Sequence, residues 1–222
     1  TRVVPGLENA NVRSVADVGV TTNFETGGLE FDRARFEEQL KNNPDDVTAL
    51  FAEQGRTTDS QVEFVRSGLN TEPGQYDINI TQAATQGSLS GTAISTVPFT
   101  IDASNDELTF QVNGETSVSI QLTQQPYSSS QELADEIQAQ LNANNALNAS
   151  GSGVQVGVGS GGELTFTSSE YGSDSNVSLT SVEDGSAYGL SVATGTSGVD
   201  VAGTIGGRTA EGDGQVLFLG NG

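Results

Sequence analysis

The chain has 222 residues, 29 acidic against 8 basic, a formal net charge of −21 at pH 7, and no Cys, His, Met or Trp. Without Cys and His there is no disulfide frame, no thiolate or imidazole metal site, no Ser-His-Asp triad and no Cys nucleophile. This removes most hydrolase and transferase chemistries and leaves length enough for one large domain or two small ones.

The lack of Met means that no start codon is represented, so a fragment or processed chain is expected. No apolar run approaches membrane-spanning length and no signal-peptide pattern opens the chain, so no membrane partner is expected.

Val15–Phe51 reads as a short apolar turn, a bend at Gly27-Gly28, a brief strand and two short helices. The first helix follows Asp32 and sets Phe36 and Leu40 on one face. It stops at Asn43-Pro44, because the residue before a proline is pushed out of the helical region. Asn43 is expected to cap the second helix, with Pro44 at its first position and Asp45 and Asp46 against its positive end. Val47, Leu50 and Phe51 supply its apolar face. The order of these features resembles the C-terminal half of the bacterial flagellar filament cap family, hook-associated protein 2.

Seven of the eight basic residues (Arg2, Arg13, Arg33, Arg35, Lys41, Arg56, Arg66) lie in the first 66 positions. From Ser67 to Gly207 there is none, against fifteen acidic residues. Such a surface repels phosphate backbones and anionic membranes, so no nucleic-acid partner is expected. It suits salty surroundings, where screening weakens self-repulsion, and equally an ordinary acidic bacterial surface protein. The charge step near Arg66 marks a domain boundary.

Beyond it, Gln61–Arg66 alternates through Val62 and Phe64, and Gln75–Thr81 through Tyr76, Ile78 and Ile80. Asn70–Gly74 between them is turn chemistry, so an antiparallel pair is predicted. The phrase Pro73–Gly87 is similar to one that recurs in the same cap family.

Glu107–Val112 and Thr116–Thr123 form the next predicted hairpin around Asn113-Gly114. A two-residue turn would pair Phe110 with Ser117 and put Val118 on the other face. A three-residue loop Val112–Gly114, with Gly114 left-handed in a bulge, pairs Leu108 with Val118 and is preferred. A helix follows over Ser130–Asn142. Ser129 and Glu132 form a capping box, and Leu133, Ile137 and Leu141, widened by Ala134, make one apolar stripe that packs on a sheet. Gly153–Val158, Glu163–Thr167 and Asn176–Thr180 are three more strands. The succession over Phe99–Val182 looks like the flagellin/hook IN-type repeat, carried by Glu132–Ile137 and by Gly162–Ser169 followed by Gly172.

The tail, Gly198–Gly207 and Ala210–Leu217, resembles another cap-family phrase and ends beside an apolar strand whose partner is expected. In the family pattern the first segment leads into long helices. Here the repeat follows it, which implies a long member with an inserted module.

Other chemistries fit less well. Asn23-x-Glu25-x-Gly27-Gly28 echoes a calcium loop, but its twelfth position would be Ala34 and flanking helices are lacking. Asp102/Asp106/Glu107 and Glu183/Asp184 satisfy no ligand spacing. Gly159–Gly162 lacks the lysine of a phosphate loop and reads as a hairpin turn. Carboxylate pairs for glycosidase work remain open by composition. Sugar-stacking surface is poor, with Tyr only at 76, 127, 171 and 188. Sequons at Asn79, Asn148 and Asn176 are expected by chance in so Asn- and Ser-rich a chain. No catalytic, cofactor-binding or metal residue is assigned.

The expected architecture is α+β, mainly antiparallel β, with more strand than helix. It comprises a small, incomplete helical piece (1–58), a linking β-hairpin region (59–97), a repeat domain with one packed helix (98–183) and a β-rich tail returning to the preceding domain (184–222). The resemblance implies a secreted structural component of the flagellum rather than an enzyme: the extracellular cap at the growing tip that promotes flagellin folding and polymerisation. Flagellin and hook–filament junction proteins are the implied partners, with self-association into a closed ring. Closed rings need head-to-tail contacts. Arg33, Arg35 and Lys41 beside Glu37, Glu38, Asp45 and Asp46 offer complementary surfaces, so ring contacts are expected there, with the acidic β-region pointing outward. At low salt the isolated chain is expected to be a monomer or weakly associated. The alternative class is an extracellular adhesin or surface-binding module, open also as a secondary role of the same protein; a free-standing adhesin has no reason to carry Val15–Phe51.

Overall fold

The computed structural model describes residues 3, 4, 7, 10–51, 55, 57–68, 71, 72, 74–94, 96–114 and 116–220. It divides into two compact units, Thr1–Gln75 and Tyr76–Gly222, and is 20% helical and 35% strand. The architecture is α+β with antiparallel sheets, as the alternation in the sequence requires.

In the first unit, β1 (Val20–Thr22) and β2 (Leu29–Phe31) form a hairpin. Its turn is closed by Asn23, whose Oδ1 accepts from the Glu25 and Thr26 amides at 2.8 and 3.0 Å. Helix α1 (Arg33–Asn42) begins where the Asp32 carboxylate accepts the Arg35 amide. Helix α2 (Pro44–Phe51) follows at once, with Asp45 and Asp46 in its first turn. Asn43 does not cap α2 with its side chain. Its carbonyl accepts Val47 N–H at 3.0 Å, while its amide group is spent on Gln39 and Asn11. Asp46 likewise turns outward from the helix to accept from the Asn11 and Val12 amides.

The core of this unit is small: Leu7, Val12, Val18, Val47, Ala49 and Leu50. Phe51 and Leu40, expected on the apolar helix faces, are exposed. So short a pair of helices has one buried side only where the 7–18 segment covers it. Gln61–Arg66 forms no strand, and the turn expected after it lies partly outside the described residues.

The second unit holds the remaining strands. β3 (Ile78–Gln82) pairs with β12 (Ala202–Ile205), not with 61–66. Alternation announces a strand but not its partner, and the partner lies about 120 residues downstream. β4 (Gln86–Ala93), β9 (Val154–Val158) and β10 (Glu163–Tyr171) form one three-stranded sheet, in the order β4-β10-β9. β6 (Glu107–Val112), β7 (Thr116–Gln121) and β11 (Val177–Val182) form a second, β11-β6-β7. β5 (Phe99–Thr100) pairs with β8 (Pro126–Tyr127).

The hairpin β6–β7 corrects the expected register. Phe110 pairs with Val118, Leu108 with Ile120 and Val112 with Thr116. The connection is three residues long, but it begins one residue later than expected. Asn113 and Gly114 both take positive φ, 52° and 72°. Asn113 tolerates this because its Oδ1 is held by Ser168 Oγ–H and Asn176 N–H. This register puts Leu108, Phe110, Val112, Val118 and Ile120 on one buried face.

Central strands β6 and β10 meet across the core, with the Phe110 and Phe166 ring centroids 5.1 Å apart. The stretch Ala193–Val199 joins the two sheets. It bridges Leu179 of β11 through Ala193, Ser88 of β4 through Thr196, and Thr85, just before β4, through Val199.

Helix α3 (Ser130–Asn142) lies against β9, β7, β8 and β10, burying Leu133, Ala134, Ile137 and Leu141 as the stripe predicts. Ser129 Oγ accepts the Glu132 amide, and Glu132 reaches back to the Ser128 amide, one residue before the usual partner in a capping box. A short helix α4 (Asn145–Ser150), capped by Asn144, buries Leu147. Neither α4, β4 nor the Ala193–Val199 bridge is legible in the sequence reading above.

Gln138 of α3 treats the exposed edge of β9 as a strand would. Its Nε2–H donates to Val154 O at 3.0 Å, and its Oε1 accepts Val156 N–H at 2.8 Å. Open edges otherwise recruit other chains. Gln138→Ala is expected to cost about 1–3 kcal/mol, the penalty for two half-buried backbone groups losing their partner. Urea unfolding of wild type and variant measures it, and an unchanged midpoint would show that water replaces the amide fully.

Candidate functional site

Two kinds of feature compete for function: the carboxylates and the exposed apolar surface. Six of the carboxylates are committed to local structure. Asp17 accepts from the Arg13 and Ser14 amides and Ser14 Oγ at 2.9–3.0 Å. Asp106 accepts from Gln121 and Gln124, Asp102 from Ser104, and Asp184 from the Ser186 amide. Glu136 accepts from Thr123 N, Thr123 Oγ1 and Gln140. Asp200 ties two loops together, its Oδ1 accepting the Ser173 and Gly214 amides at 3.0 and 2.9 Å. Among the described residues no group of three His, Cys, Asp or Glu could hold a metal ion. Asn23–Gly28 is the β1–β2 turn, Gly159–Gly162 is the β9–β10 turn, and the Asn176 side chain holds Gly195 O.

These bonds shift titrations in one direction. Ser104, Ser186 and Ser173 hold Asp102, Asp184 and Asp200 below the ordinary carboxylate value. Burial opposes ionisation of Asp17 and Glu136, but hydrogen bonds from Arg13 and Ser14, and from Thr123 and Gln140, outweigh it. Burial, reinforced by Asp184, Glu183 and Asp106, pushes the Tyr188 phenol up, which keeps it a donor to Asn105 O at 2.9 Å.

A depressed carboxyl contributes stability above its unfolded value, near about pH 4, and loses it as pH falls through the folded value. In about 1 M salt, where the Debye length is about 3 Å, the melting temperature is therefore expected to be flat from about pH 7 to 5 and to fall below about pH 4. A melting temperature that rises below pH 4 would refute this.

The apolar surface of the first unit is a better candidate. Leu29 and Phe31 alternate onto one face of β2 and are 78% and 58% exposed. Phe31 meets Phe36 of α1 with ring centroids 5.6 Å apart, and Leu40 stands one turn beyond Phe36. Together they make a strip Leu29–Phe31–Phe36–Leu40, while Phe24 in the hairpin turn is fully exposed.

Beside the strip, Arg33 pairs with Glu37 at 2.7 Å on the open helix surface, where such a pair adds little stability. Arg35 donates to Asp17 O, tying α1 to the preceding turn. Lys41, Glu38 and Asp45 are exposed. Asp46, expected among the contact charges, is instead spent on the Asn11–Val12 backbone. The sequence reading named the charges of this surface and put Phe36 and Leu40 on one helix face and Phe51 on the other helix's apolar face; Phe36 is half-buried against the small core, while Leu40 and Phe51 are exposed. The missing signal was the brevity of both helices, which leaves too little chain to cover them.

The sequence model of one family, described as Flagellar hook-associated protein 2 C-terminus, matches residues 5–147. No curated protein matches the chain. Among solved structures, the chain is similar to the flagellar cap protein FliD from Bdellovibrio bacteriovorus, at 17% identity over 67% of this chain and 78% of that one, with a TM-score of 0.43. It is similar to the D1-D2-D3 domains of FliD from Escherichia coli at 23% identity over 68% of this chain and 43% of that one, TM-score 0.42. For FliD (HAP2) from Pseudomonas aeruginosa PAO1 the values are 16%, 70%, 70% and 0.38.

Proposed function

This chain belongs to the flagellar hook-associated protein 2 family, and we propose that it serves in the cap at the tip of the growing filament, where exported flagellin folds and joins the polymer. The observation that carries this reading is the Leu29–Phe31–Phe36–Leu40 strip, an apolar surface left open on a unit with only a small core. A free monomer gains nothing from it. A subunit of an assembly buries it against a neighbour, and the charges around it fix the orientation of that contact.

The mechanism is steric and conformational. Cap subunits hold one another head to tail through such strips, and each incoming flagellin is sheltered while it folds and inserts. Flagellin and the junction proteins are the partners, outside the cell.

The test is made in the source organism with the full-length gene. Its deletion should release flagellin into the medium as unpolymerised monomer, and the wild-type gene should restore filaments. Leu29→Ser with Phe31→Ser should restore them poorly. Full restoration by that variant would remove the strip from the mechanism. Filaments of normal length with lost surface attachment in the deletion would favour the adhesin role instead.

A further inference from the structure

Asn113, in the β6–β7 turn, is tied to β10 and to the segments leading into β9 and β11. Its N–H donates to Asn176 O at 2.8 Å, and its carboxamide oxygen accepts Asn176 N–H at 3.1 Å and Ser168 Oγ–H at 3.0 Å. A backbone N–H can only donate, so the atom it meets is the oxygen. The carboxamide nitrogen therefore faces Ser152 Oγ, at 3.4 Å. Both serines lead to Glu170: its N–H donates to Ser168 Oγ at 3.2 Å, and its Oε1 accepts Ser152 Oγ–H at 3.0 Å. Every bond in this circuit runs in one sense, from the Glu170 amide through Ser168, Asn113 and Ser152 to the Glu170 carboxylate. Such a one-way chain holds only while each member can both accept and donate.

The residue after Asn113 is Gly114, with φ of 72° and nothing within 4 Å of where a Cβ would stand. Asparagine before glycine is the pair most prone to cyclise, because no Cβ shields the following nitrogen. The glycine nitrogen attacks Cγ and gives up its proton, the Cγ–Nδ2 bond breaks, and ammonia leaves a succinimide. Water opens that ring at either carbonyl, to aspartate or to isoaspartate. In the folded chain Cγ can reach Gly114 N only by leaving Ser168, Asn176 and Ser152.

We propose that Asn113-Gly114 is a self-modification site that this circuit holds shut. A chain is marked when its β6–β7 turn opens, and the mark keeps the turn loosened. An aspartate at position 113 has no N–H for Ser152, whose single hydroxyl hydrogen cannot serve that carboxylate and Glu170 at once. Two carboxylates then meet across one serine, in a stretch with sixteen acidic residues and one basic from position 76 onward. An isoaspartate lengthens the backbone of the turn and disturbs the register of the hairpin.

Mass spectrometry of the peptide containing Asn113 tests this, after the whole chain is incubated in mildly alkaline buffer with and without denaturing urea. Conversion in the folded chain should be at least about tenfold slower than in urea, since it follows the small open population. Ser168→Ala should speed the folded reaction about fivefold, the equilibrium worth of one hydrogen bond, and leave the rate in urea unchanged. Asn113→Asp should lower the urea midpoint. Adding Glu170→Gln should restore most of it, because the glutamine amide donates to Ser152 and frees that hydroxyl for the aspartate. Equal rates in the folded and unfolded chain would overturn the proposal, and this comparison needs no variant to fold. A folded Ser168→Ala chain that reacts at the wild-type rate would also overturn it. So would an Asn113→Asp chain as stable as wild type, or one that Glu170→Gln leaves unrestored.

Discussion

Ile137→Ala is expected to destabilise the second unit by about 3–4 kcal/mol, within the usual range for a buried isoleucine cut back to a methyl group. Ile137 has no solvent exposure and sits at the middle of the α3 stripe, between Leu133 and Leu141. The cavity would open between the helix and the sheets it covers. The neighbours are poorly able to collapse into it, because Gln138 pins α3 to β9 by two hydrogen bonds and Glu136 pins it to Thr123. For a unit of this size the loss lowers the melting temperature by roughly 10 °C. Tyrosine fluorescence reads this unit alone, since all four tyrosines lie at position 76 or beyond. Ile80→Ala, on the half-exposed face of β3, removes the same atoms and should cost under about 1 kcal/mol. Equal costs at the two positions would mean that α3 is not the lid of the core.

Gly195→Ala is expected to be nearly as damaging, for a different reason. Gly195 lies in the Ala193–Val199 bridge, and a Cβ there would be driven into the carbonyl oxygens of Val177 and Ser88, one on each neighbouring strand. Both obstacles are backbone, so neither can swing aside as a side-chain tip would. Relief requires parting the bridge from β4 or β11. This breaks bonds such as Thr196 N–H to Ser88 O at 2.7 Å and its return from Ser88 N–H at 2.8 Å. The cost should reach the upper end of the overpacking range, about 3 kcal/mol. Hydrogen exchange should show protection lost first at the Ser88, Thr196 and Ala193 amides. If those amides remain as protected as in the wild type, the two sheets are not joined through this stretch in solution.

Several local features were legible in the residues themselves. Ser129, Glu132 and the Leu133–Ile137–Leu141 spacing define α3 within its own thirteen residues and the cap before them. Asp32 and the Asn43-Pro44 step bound α1 and α2 in the same way. Such signals survive because helix contacts and caps act over three or four residues. The charges of the first unit were legible too, as was the absence of thiol and imidazole chemistry. The apolar strip was not, because a Phe36-to-Leu40 spacing looks the same whether it faces a core or solvent.

The sequence alone determined α1, α2 and α3 and the alternation of β3, β6, β7, β9, β10 and β11, along with a strongly acidic second unit and the phrases shared with the cap family. It also read a strand at 61–66 that does not form. Only the tertiary structure decided what each strand pairs with. β3 left its sequence neighbour 61–66 for β12, the β6–β7 loop began one residue later than the expected Val112–Gly114, and Ala193–Val199 became the join between two sheets. The physical reason is common to all three. A strand's backbone donors and acceptors are the same at every position, so its partner is chosen by which faces can be buried together, and that depends on chain far away.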